Sequence, residues 1–200
     1  MRDMVVKFKI LVAGNKNVGK TTLVRRYCTG LFQTDTLSTI GVDFMVKEVK
    51  IGKEDVSFSI WDFAGEKKFR QLLPSYCSGA SGALLLFDLT NAESMEELVA
   101  WVEVINRNAP NIAKVLVGTK ADIIANRQVP KRLAEDTMSR HDMIGFWETS
   151  SKTGANVEEV FQALGAEILK RSLRTCPYCD HLVPKELYFC QFCGKKLIKE

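Results

Sequence analysis

The sequence predicts an α/β fold: a three-layer domain with a mostly parallel sheet, followed by a small cysteine-rich module. Strand-like apolar segments alternate with amphipathic helical segments along most of the 200 residues, which is typical of such a domain. A glycine-rich loop follows the first apolar segment directly. Four cysteines fall in the last 25 residues with the spacing C-x2-C-x10-C-x2-C. This length allows one complete α/β domain and a small appendage.

The first half of the chain supplies three strand predictions and one helix. The apolar segment VVKFKILVAG at 5–14 predicts a strand, and TTLVRRYCTGLF at 21–32 continues as a helix with Gly30 near its end. Residues 41–63 predict a hairpin that turns near Gly52. GALLLFDLT at 82–90 is an unbroken apolar run, which favours a parallel strand buried on both faces.

The second half continues the alternation. A helix is predicted at 92–109, ended by Pro110, and a buried strand at 113–122. A helix at 130–141, with Pro130 suited to its first turn, precedes a short strand at 144–151 and a last helix at 156–173. Right-handed crossovers place the strand-to-helix loops along one edge of the sheet, where ligands bind. The helical periodicity stops near 171–175, so we expect a main domain at 1–172 and a module at 173–200.

Composition and charge exclude several classes of protein. Apolar residues make up 46% and charged residues 26%, without an apolar run of 18 residues, so we expect a cytoplasmic protein rather than a membrane-spanning one. The end, KKLIKE, offers no cysteine for prenylation, so no lipid anchor is expected. Residues 168–200 hold seven Lys/Arg and three Asp/Glu, a balance of +4 that equals the charge of the whole chain. Because four zinc-bound thiolates would lower that charge, a nucleic-acid partner is not expected.

The glycine-rich loop predicts a phosphate site. GNKNVGKT, from Gly14 to Thr21, fits G-x-x-x-x-G-K-[ST] in full, between a predicted strand and a predicted helix. The glycines let backbone N–H groups point at phosphate oxygens, and the helix adds the positive end of its dipole. Lys20 can reach the β- and γ-phosphates, and the Thr21 hydroxyl can ligate Mg²⁺. The pattern alone does not choose between ATP and GTP.

Two later loops and three further segments extend the pattern beyond the phosphate loop. GTKAD (118–122) follows one buried strand and ETSSK (148–152) the next, and STIGVDF (38–44), WDFAGEKKFR (61–70) and SYCSGASGALLLFDLT (75–90) stand in order before them. Together with the phosphate loop, these segments resemble a small GTPase of the Ras superfamily, and most of all its Rab branch. The resemblance covers about residues 6–172 and implies a P-loop GTPase domain with a mostly parallel six-stranded sheet.

The resemblance implies a role for each matching residue. Asp122 is expected to accept hydrogen bonds from the guanine N1–H and amino group, with Lys120 and Phe32 against the two faces of the base. Thr21 and Thr39 are expected to ligate Mg²⁺, and Asp62 to hold it through water. The predicted catalytic group is Glu66, Lys20, Thr39 and Gly65, where the Gly65 N–H senses the γ-phosphate. The predicted nucleotide contacts are Gly14, Asn15, Lys16, Asn17, Val18, Gly19, Lys20, Thr21, Thr22, Phe32, Thr39, Gly65, Thr119, Lys120, Asp122, Ser150, Ser151 and Lys152.

Two departures from the family bear on hydrolysis. Glu66 stands where most members have a glutamine, and an ionised carboxylate can only accept hydrogen bonds beside a phosphate rich in charge. Repulsion is expected to push Glu66 outward or raise its pKa, unless it acts as a base on the attacking water. Lys16 replaces a small residue beside the γ-phosphate. It could obstruct an activator's arginine, point to solvent, or supply a cation of its own.

Two further departures concern packing. Thr119 replaces the usual asparagine of the guanine loop. The Rho branch shares this threonine, so guanine binding is expected to survive with the loss of one amide link to the phosphate loop. Phe63 stands where Rab proteins have threonine, and is expected to pack in the core rather than serve the second switch.

The four terminal cysteines predict a zinc site. Rab proteins normally end in a flexible segment with lipidated cysteines, whereas RTCPYCDHLVPKELYFCQFCGKKLIKE resembles a zinc ribbon in which Cys176, Cys179, Cys190 and Cys193 bind Zn²⁺. About 25 residues cannot bury a core, so the metal would supply most of the folding energy. Disulfides or idle thiols are the alternative. His181 is not expected to be a ligand. Tyr188, Phe189 and Phe192 are expected to pack around the metal rather than lie exposed.

These inferences predict a small GTPase that binds GTP or GDP with Mg²⁺, hydrolyses GTP slowly, and presents its switch segments to effectors and regulators. Ile40, Phe44 and Trp61 are expected to belong to that surface. The alternative is a non-hydrolysing, GTP-bound scaffold whose zinc ribbon binds a protein or, less readily, RNA.

Overall fold

The computed structural model describes residues 5–33 and 39–198, and every structural statement below concerns those residues. The outer bounds predicted for the two domains, residues 1 and 200, lie outside them. So does Ser38, the first residue of the segment STIGVDF.

The main domain alternates strands and helices. Its strands are β1 (Val6–Gly14), β2 (Val42–Ile51), β3 (Glu54–Phe63), β4 (Gly82–Asp88), β5 (Ala113–Thr119) and β6 (Phe146–Glu148). Its helices are α1 (Lys20–Thr29), α2 (Leu73–Cys77), α3 (Ala92–Glu96), α4 (Leu98–Asn108), α5 (Lys131–Arg140) and α6 (Val157–Ser172). Two 3-10 turns add Lys67–Leu72 and Ile124–Asn126.

The six strands form one sheet in the order β2-β3-β1-β4-β5-β6. Only β2 runs antiparallel to its neighbour, because it is joined to β3 by the tight turn at Gly52. The other four pairings are parallel. The predicted fold, a mostly parallel six-stranded sheet, is confirmed.

Alternating side chains in the buried strands build two cores. In β1, Ile10 and Val12 pack on one face with α1 and α6, whereas Leu11 and Ala13 pack on the other face with α4. The strands β4 and β5 follow the same alternation. An apolar run without polar interruption is therefore what a strand covered on both faces requires. Phe63 is fully buried in the second core, which confirms the prediction that it packs there.

Several element ends differ from the prediction. Helix α1 ends at Thr29, because Gly30 adopts φ 75° and its N–H caps the Arg26 carbonyl. The predicted helix at 92–109 is broken at Glu97 into α3 and α4. Strand β6 keeps only three residues. The 3-10 turn and α2 between 67 and 77 have no counterpart in the prediction, because no helical periodicity marks that segment.

The cysteine module follows α6 without a linker. Strand β7 (Leu173–Thr175) begins at the residue after α6 and pairs antiparallel with β8 (Leu182–Pro184). The Lys185 N–H donates to the Ser172 carbonyl at 2.9 Å, so the hairpin is bonded to the end of the helix. Its small core consists of Cys176, Val183, Cys190 and Leu197.

Among the described residues, no helix is both long enough and apolar enough to pass through a membrane.

Gly14 ends β1 where the chain must turn into the phosphate loop. Its φ is 146°, and a Cβ there would overlap the Leu86 carbonyl of β4. We expect Gly14→Ala to lower the free energy of unfolding by about 3 kcal/mol, through backbone strain and overpacking together. Gly52→Ala is the control, because Gly52 also has positive φ but open space around it, so about 1 kcal/mol is expected. Equal losses in urea unfolding would contradict the overlap.

Candidate functional site

The glycine loop surrounds a cavity of about 210 Å³ at the carboxyl edge of the sheet. Gly14, Asn17 and Gly19 all have positive φ, so the loop wraps back on itself before α1 begins at Lys20. The amino end of α1 therefore borders the cavity, where it favours an anion. The predicted residues that line the cavity are Lys16, Asn17, Gly19, Lys20, Thr21, Thr22, Thr39, Gly65, Glu66 and Lys120.

Lys20 is a buried cation on the floor of this cavity. Its ammonium group donates to the Asn15 carbonyl at 2.7 Å. Burial lowers the pKa of Lys20 to about 8, and the negative charge of Asp62 works against that shift. A phosphate beside Lys20 would restore the charged form, because an opposite charge raises the pKa of a lysine.

Three oxygen-bearing side chains converge next to Lys20. The hydroxyls of Thr21 and Thr39 lie 2.8 Å apart, and Thr21 donates to one carboxylate oxygen of Asp62. The other Asp62 oxygen is buried without a hydrogen-bond partner in the described part of the chain. Burial raises the pKa of Asp62, against the hydrogen bond from Thr21 and the charge of Lys20. Hydroxyl and carboxylate oxygens are hard ligands, so this group fits a Mg²⁺ ion.

Gly65 brings the second switch segment against the phosphate loop. A Cβ on Gly65 would overlap the Asn15 carbonyl group and the Lys16 amide, so no other residue fits this approach. Glu66 follows directly, with one carboxylate oxygen 3.5 Å from Lys16 Nζ and the other 2.8 Å from Lys68 Nζ. The rise in pKa expected for Glu66 beside a phosphate stays a prediction. The hydrogen bond from Lys68, aided by the charge of Lys16, holds the pKa of Glu66 below its usual value.

A second cavity, of about 320 Å³, lies beside the first. Asp122 lines it, and its carboxylate accepts a hydrogen bond from the Ser150 hydroxyl at 2.6 Å. The predicted residues in its lining are Gly19, Thr22, Phe32, Thr119, Lys120, Asp122, Ser151 and Lys152. Gly19, Thr22 and Lys120 border both cavities, so the two form one groove.

Thr119 keeps a link to the phosphate loop. Its hydroxyl lies 2.6 Å from the Val18 carbonyl and 3.0 Å from the Phe87 carbonyl, and it donates to the nearer one. The expectation that this threonine costs a link is therefore wrong. A hydroxyl supplies the hydrogen bond that an amide would otherwise make.

Four predicted contacts lie outside both linings: Gly14, Asn15, Val18 and Ser150. Ser150 is buried, and its hydroxyl reaches the site only through its hydrogen bond to Asp122. Gly14 packs against β4, and Val18 is buried in the core below the loop. The Asn15 side chain turns away from the phosphate cavity. It accepts from the Trp101 indole at 2.8 Å and donates to Glu97. Gly14, Asn15 and Val18 thus shape the loop through packing and hydrogen bonds.

Two acidic residues that support the site were not predicted. Asp88, at the end of β4, lies 2.5 Å from Lys120 Nζ, so it fixes the stem of that lysine along the groove. The sequence feature that could have identified Asp88 is its position at the carboxyl end of a buried strand, where site residues often lie. Glu97 joins Asn15 of the phosphate loop to Lys67 of the second switch, at 2.6 Å from Lys67 Nζ. No sequence signal marks Glu97, because both its partners are distant in the chain.

The four terminal cysteines form a compact cluster. All four sulfur atoms lie within 4.8 Å of one another, and the pairs Cys176–Cys193 and Cys179–Cys190 are 3.8 and 3.6 Å apart. A disulfide requires about 2.05 Å. A tetrahedron with zinc–sulfur bonds of about 2.3 Å has sulfur atoms about 3.8 Å apart. The cluster therefore fits a zinc ion.

The backbone of the two cysteine turns repeats. The N–H of Cys176 donates to the His181 carbonyl, and the N–H of Cys190 donates to the Lys195 carbonyl, both at 2.9 Å. Asp180 and Gly194, each four residues after the first cysteine of its turn, share a left-handed conformation. Two matching turns of this kind direct four cysteine sulfur atoms at one metal ion, as a tetrahedral zinc site requires. His181 is not part of the cluster, and its ring stacks on Phe192 at 4.3 Å.

The aromatic residues of the module do not surround the cysteines. Tyr188, Phe189 and Phe192 are 58%, 59% and 46% exposed. The expectation that they pack around the metal is wrong. The small core closes with Val183 and Leu197 instead.

Comparisons with known proteins agree with this geometry. The Ras family profile matches residues 9–170. Ras-related protein Rab-30 from Homo sapiens is 41% identical over 173 residues, covering 86% of this chain and 85% of that protein. Ras-related protein Rab-13 from Bos taurus is 37% identical over 166 residues, covering 82% and 81%. Ras-related protein Rab-19 from Xenopus laevis is 36% identical over 166 residues, covering 82% and 78%.

Proposed function

The chain belongs to the Ras family of small GTPases, and from that premise we propose that it is a switch that binds GTP or GDP with Mg²⁺ and hydrolyses GTP slowly. The observation that carries the proposal is the continuity of the groove. Gly19, Thr22 and Lys120 connect the cavity at the glycine loop to the one that holds Asp122. One groove thus offers anion-binding groups at one end and a single carboxylate at the other.

The proposed phosphate contacts follow from the first cavity. The turned backbone from Gly14 to Gly19 and the amino end of α1 would bind the phosphates, and Lys20 would neutralise their charge. Thr21 and Thr39 would ligate Mg²⁺, with Asp62 beside them. Bound Mg²⁺ supplies positive charge to the phosphate oxygens that develop charge during transfer. The close approach of Gly65 suits its N–H to sense the γ-phosphate.

The proposed base contacts follow from the second cavity. Asp122 would accept from the guanine N1–H and amino group, and the hydrogen bond from Ser150 fixes the orientation of its carboxylate. Adenine offers no such pair of donors. The stem of Lys120, tethered to Asp88, and the ring of Phe32 line the same cavity and would cover the two faces of the base.

The nucleotide would control an effector surface. Thr39 and Gly65 would order their segments when the γ-phosphate is present and release them after hydrolysis. Ile40, Phe44 and Trp61 stand next to these segments, and the rings of Phe44 and Trp61 stack at 5.7 Å. Ile40 and Phe44 are exposed, which suits a surface read by effectors and regulators.

Slow hydrolysis is proposed because of Glu66. A glutamine amide can accept from the attacking water and donate toward the phosphoryl group, whereas a carboxylate only accepts. The ion pair with Lys68 also holds the Glu66 carboxylate in place. Lys16 at the mouth of the cavity would obstruct an arginine from an activating protein.

Nucleotide content and turnover test this proposal. Native mass spectrometry of the purified protein is expected to find bound guanine nucleotide, and calorimetry with Mg²⁺ is expected to find GTP bound far more tightly than ATP. Single-turnover hydrolysis is expected at or below about 10⁻³ s⁻¹. Equal affinity for GTP and ATP would contradict the proposed base contacts. Fast hydrolysis without a partner would contradict only the proposed role of Glu66.

The exposed aromatic residues of the module favour a second candidate. In a GTP-bound scaffold, the nucleotide would be structural and the zinc ribbon would bind a protein partner through Tyr188, Phe189 and Phe192. A module that folds around zinc but keeps its rings outside is suited to such contacts. Bound nucleotide separates the candidates: GDP in the purified protein supports turnover, and retained GTP supports the scaffold.

A further inference from the structure

Lys16 and Glu66 form an ion pair across the mouth of the phosphate cavity. Lys16 belongs to the glycine loop and Glu66 to the segment after β3, so the pair connects two separate parts of the chain at 3.5 Å. Both side chains line the cavity together with Thr39 and Gly65. The side chain of Lys16 is 53% exposed and that of Glu66 is 32% exposed. Both can therefore reorient when a charged ligand enters.

The backbone beneath the pair keeps it at the cavity. Gly65 lies so close to the Asn15–Lys16 peptide that the two segments touch directly. Glu97 adds a second connection, since it bonds both Asn15 and Lys67. The charges of Lys16 and Glu66 therefore stay near the same end of the groove.

The charges around this end are nearly balanced. Lys20 faces Asp62 at the floor, and Lys16 faces Glu66 at the mouth. Lys68 bonds Glu66 from outside the cavity lining, where its own side chain is largely exposed. A γ-phosphate that reaches the mouth would contact the cation Lys16 and the anion Glu66. A diphosphate, which ends at the floor, would contact neither directly.

We propose that the Lys16–Glu66 pair sets the preference of this protein for the triphosphate over the diphosphate. This inference rests on the proposed function and assigns a specificity role to the pair. With a γ-phosphate present, the Lys16 ammonium would leave the Glu66 carboxylate and bind the phosphate. Glu66 would keep its ion pair with Lys68. The attraction from Lys16 and the repulsion from Glu66 oppose each other, so the pair holds the GTP-to-GDP affinity ratio at an intermediate value.

Opposite signs are expected from the two single substitutions. Glu66→Gln removes the repulsion and frees Lys16, so the ratio of affinities for a non-hydrolysable GTP analogue and for GDP is expected to rise about fivefold. Lys16→Met leaves Glu66 facing the phosphate, so the ratio is expected to fall by about the same factor. The double variant is expected to return within about twofold of the original ratio, because the two effects cancel.

The experiment is calorimetry of the full chain with Mg²⁺ at low and high salt, using GDP and the imidotriphosphate analogue of GTP. Both single effects are expected to shrink at high salt, because exposed charges are screened. Lys50→Met is the matched control. It removes the same charge from an exposed ion pair with Asp55 on the β2–β3 hairpin, far from the cavity. It is expected to leave the ratio unchanged.

The outcomes are separable. If both single variants keep the original ratio, or shift it in the same direction, the proposed specificity role is wrong. If the unaltered protein binds neither guanine nucleotide, the proposed function itself fails. Affinity for GDP serves as the internal measure of folding, because a variant that binds GDP normally has an intact groove.

Discussion

Replacing Asp122 with asparagine is expected to lower the affinity for GTP about a hundredfold or more. The carboxylate would lose its charge, and the asparagine NH₂ group would face the donors of guanine, so two charge-assisted hydrogen bonds would be lost at about 1.5 kcal/mol each. Xanthine carries a carbonyl where guanine has the amino group. That carbonyl can accept from the new amide, so affinity for xanthosine triphosphate is expected to rise. Competition calorimetry with the two nucleotides measures both changes.

Ser150→Ala is the control for this substitution. It removes the 2.6 Å hydrogen bond to Asp122 but leaves the carboxylate in the cavity. A loss of about tenfold or less is expected, with the preference for guanine intact. If Asp122→Asn binds GTP as tightly as the unaltered protein does, this carboxylate does not select the base.

Removing the metal is expected to unfold the cysteine module and spare the main domain. The buried cluster of the module contains only four residues, two of them cysteines, so little apolar burial remains without the ion. The purified protein is expected to contain one zinc ion per chain. After a strong chelator, or in Cys190→Ser, amide hydrogens at 173–198 are expected to exchange rapidly, while those of β1 and β4 remain protected. Elemental analysis and hydrogen exchange measure the two effects.

Cys28→Ser is the control for the metal experiment. Cys28 lies in the main domain, half-buried beside the first core and outside the sulfur cluster. It is expected to retain the zinc ion and the protection of the module. In Cys190→Ser, measured with Mg²⁺ in excess, nucleotide affinity is expected to change less than about twofold, because the cysteine turns and the groove share no residue. Protection that survives full removal of the metal would contradict the proposed zinc site.

Local pattern was sufficient to predict the sheet. Runs such as GALLLFDLT encode a strand covered on both faces, and their residues alternate between the two cores as that requires. The glycine loop was equally predictable from the sequence, because the positive φ at Gly19 and the start of α1 at Lys20 are determined by residues next to them in the chain. These features are fixed within a few residues of the chain.

Features that depend on distant partners could not be predicted. The pairing of Glu66 with Lys16 depends on two loops meeting in space. Glu97 shows no pattern of its own, although it connects Asn15 to Lys67. The break between α3 and α4 occurs within a continuous amphipathic pattern. The exposure of Phe189 likewise depends on which distant side chains close the small core, here Val183 and Leu197.

Helix α6 determines where the cysteine module sits. The helix starts near the base cavity and spans 16 residues, about 24 Å, toward the opposite edge of the sheet. Arg171, in its last turn, bonds the Asn111 carbonyl just before β5, and β7 continues without a linker. A molecule held by the module would therefore stand at a set distance and angle from the switch segments. The helix therefore separates the cysteine module from the switch segments. A single partner that contacts both must be long enough to extend around the main domain.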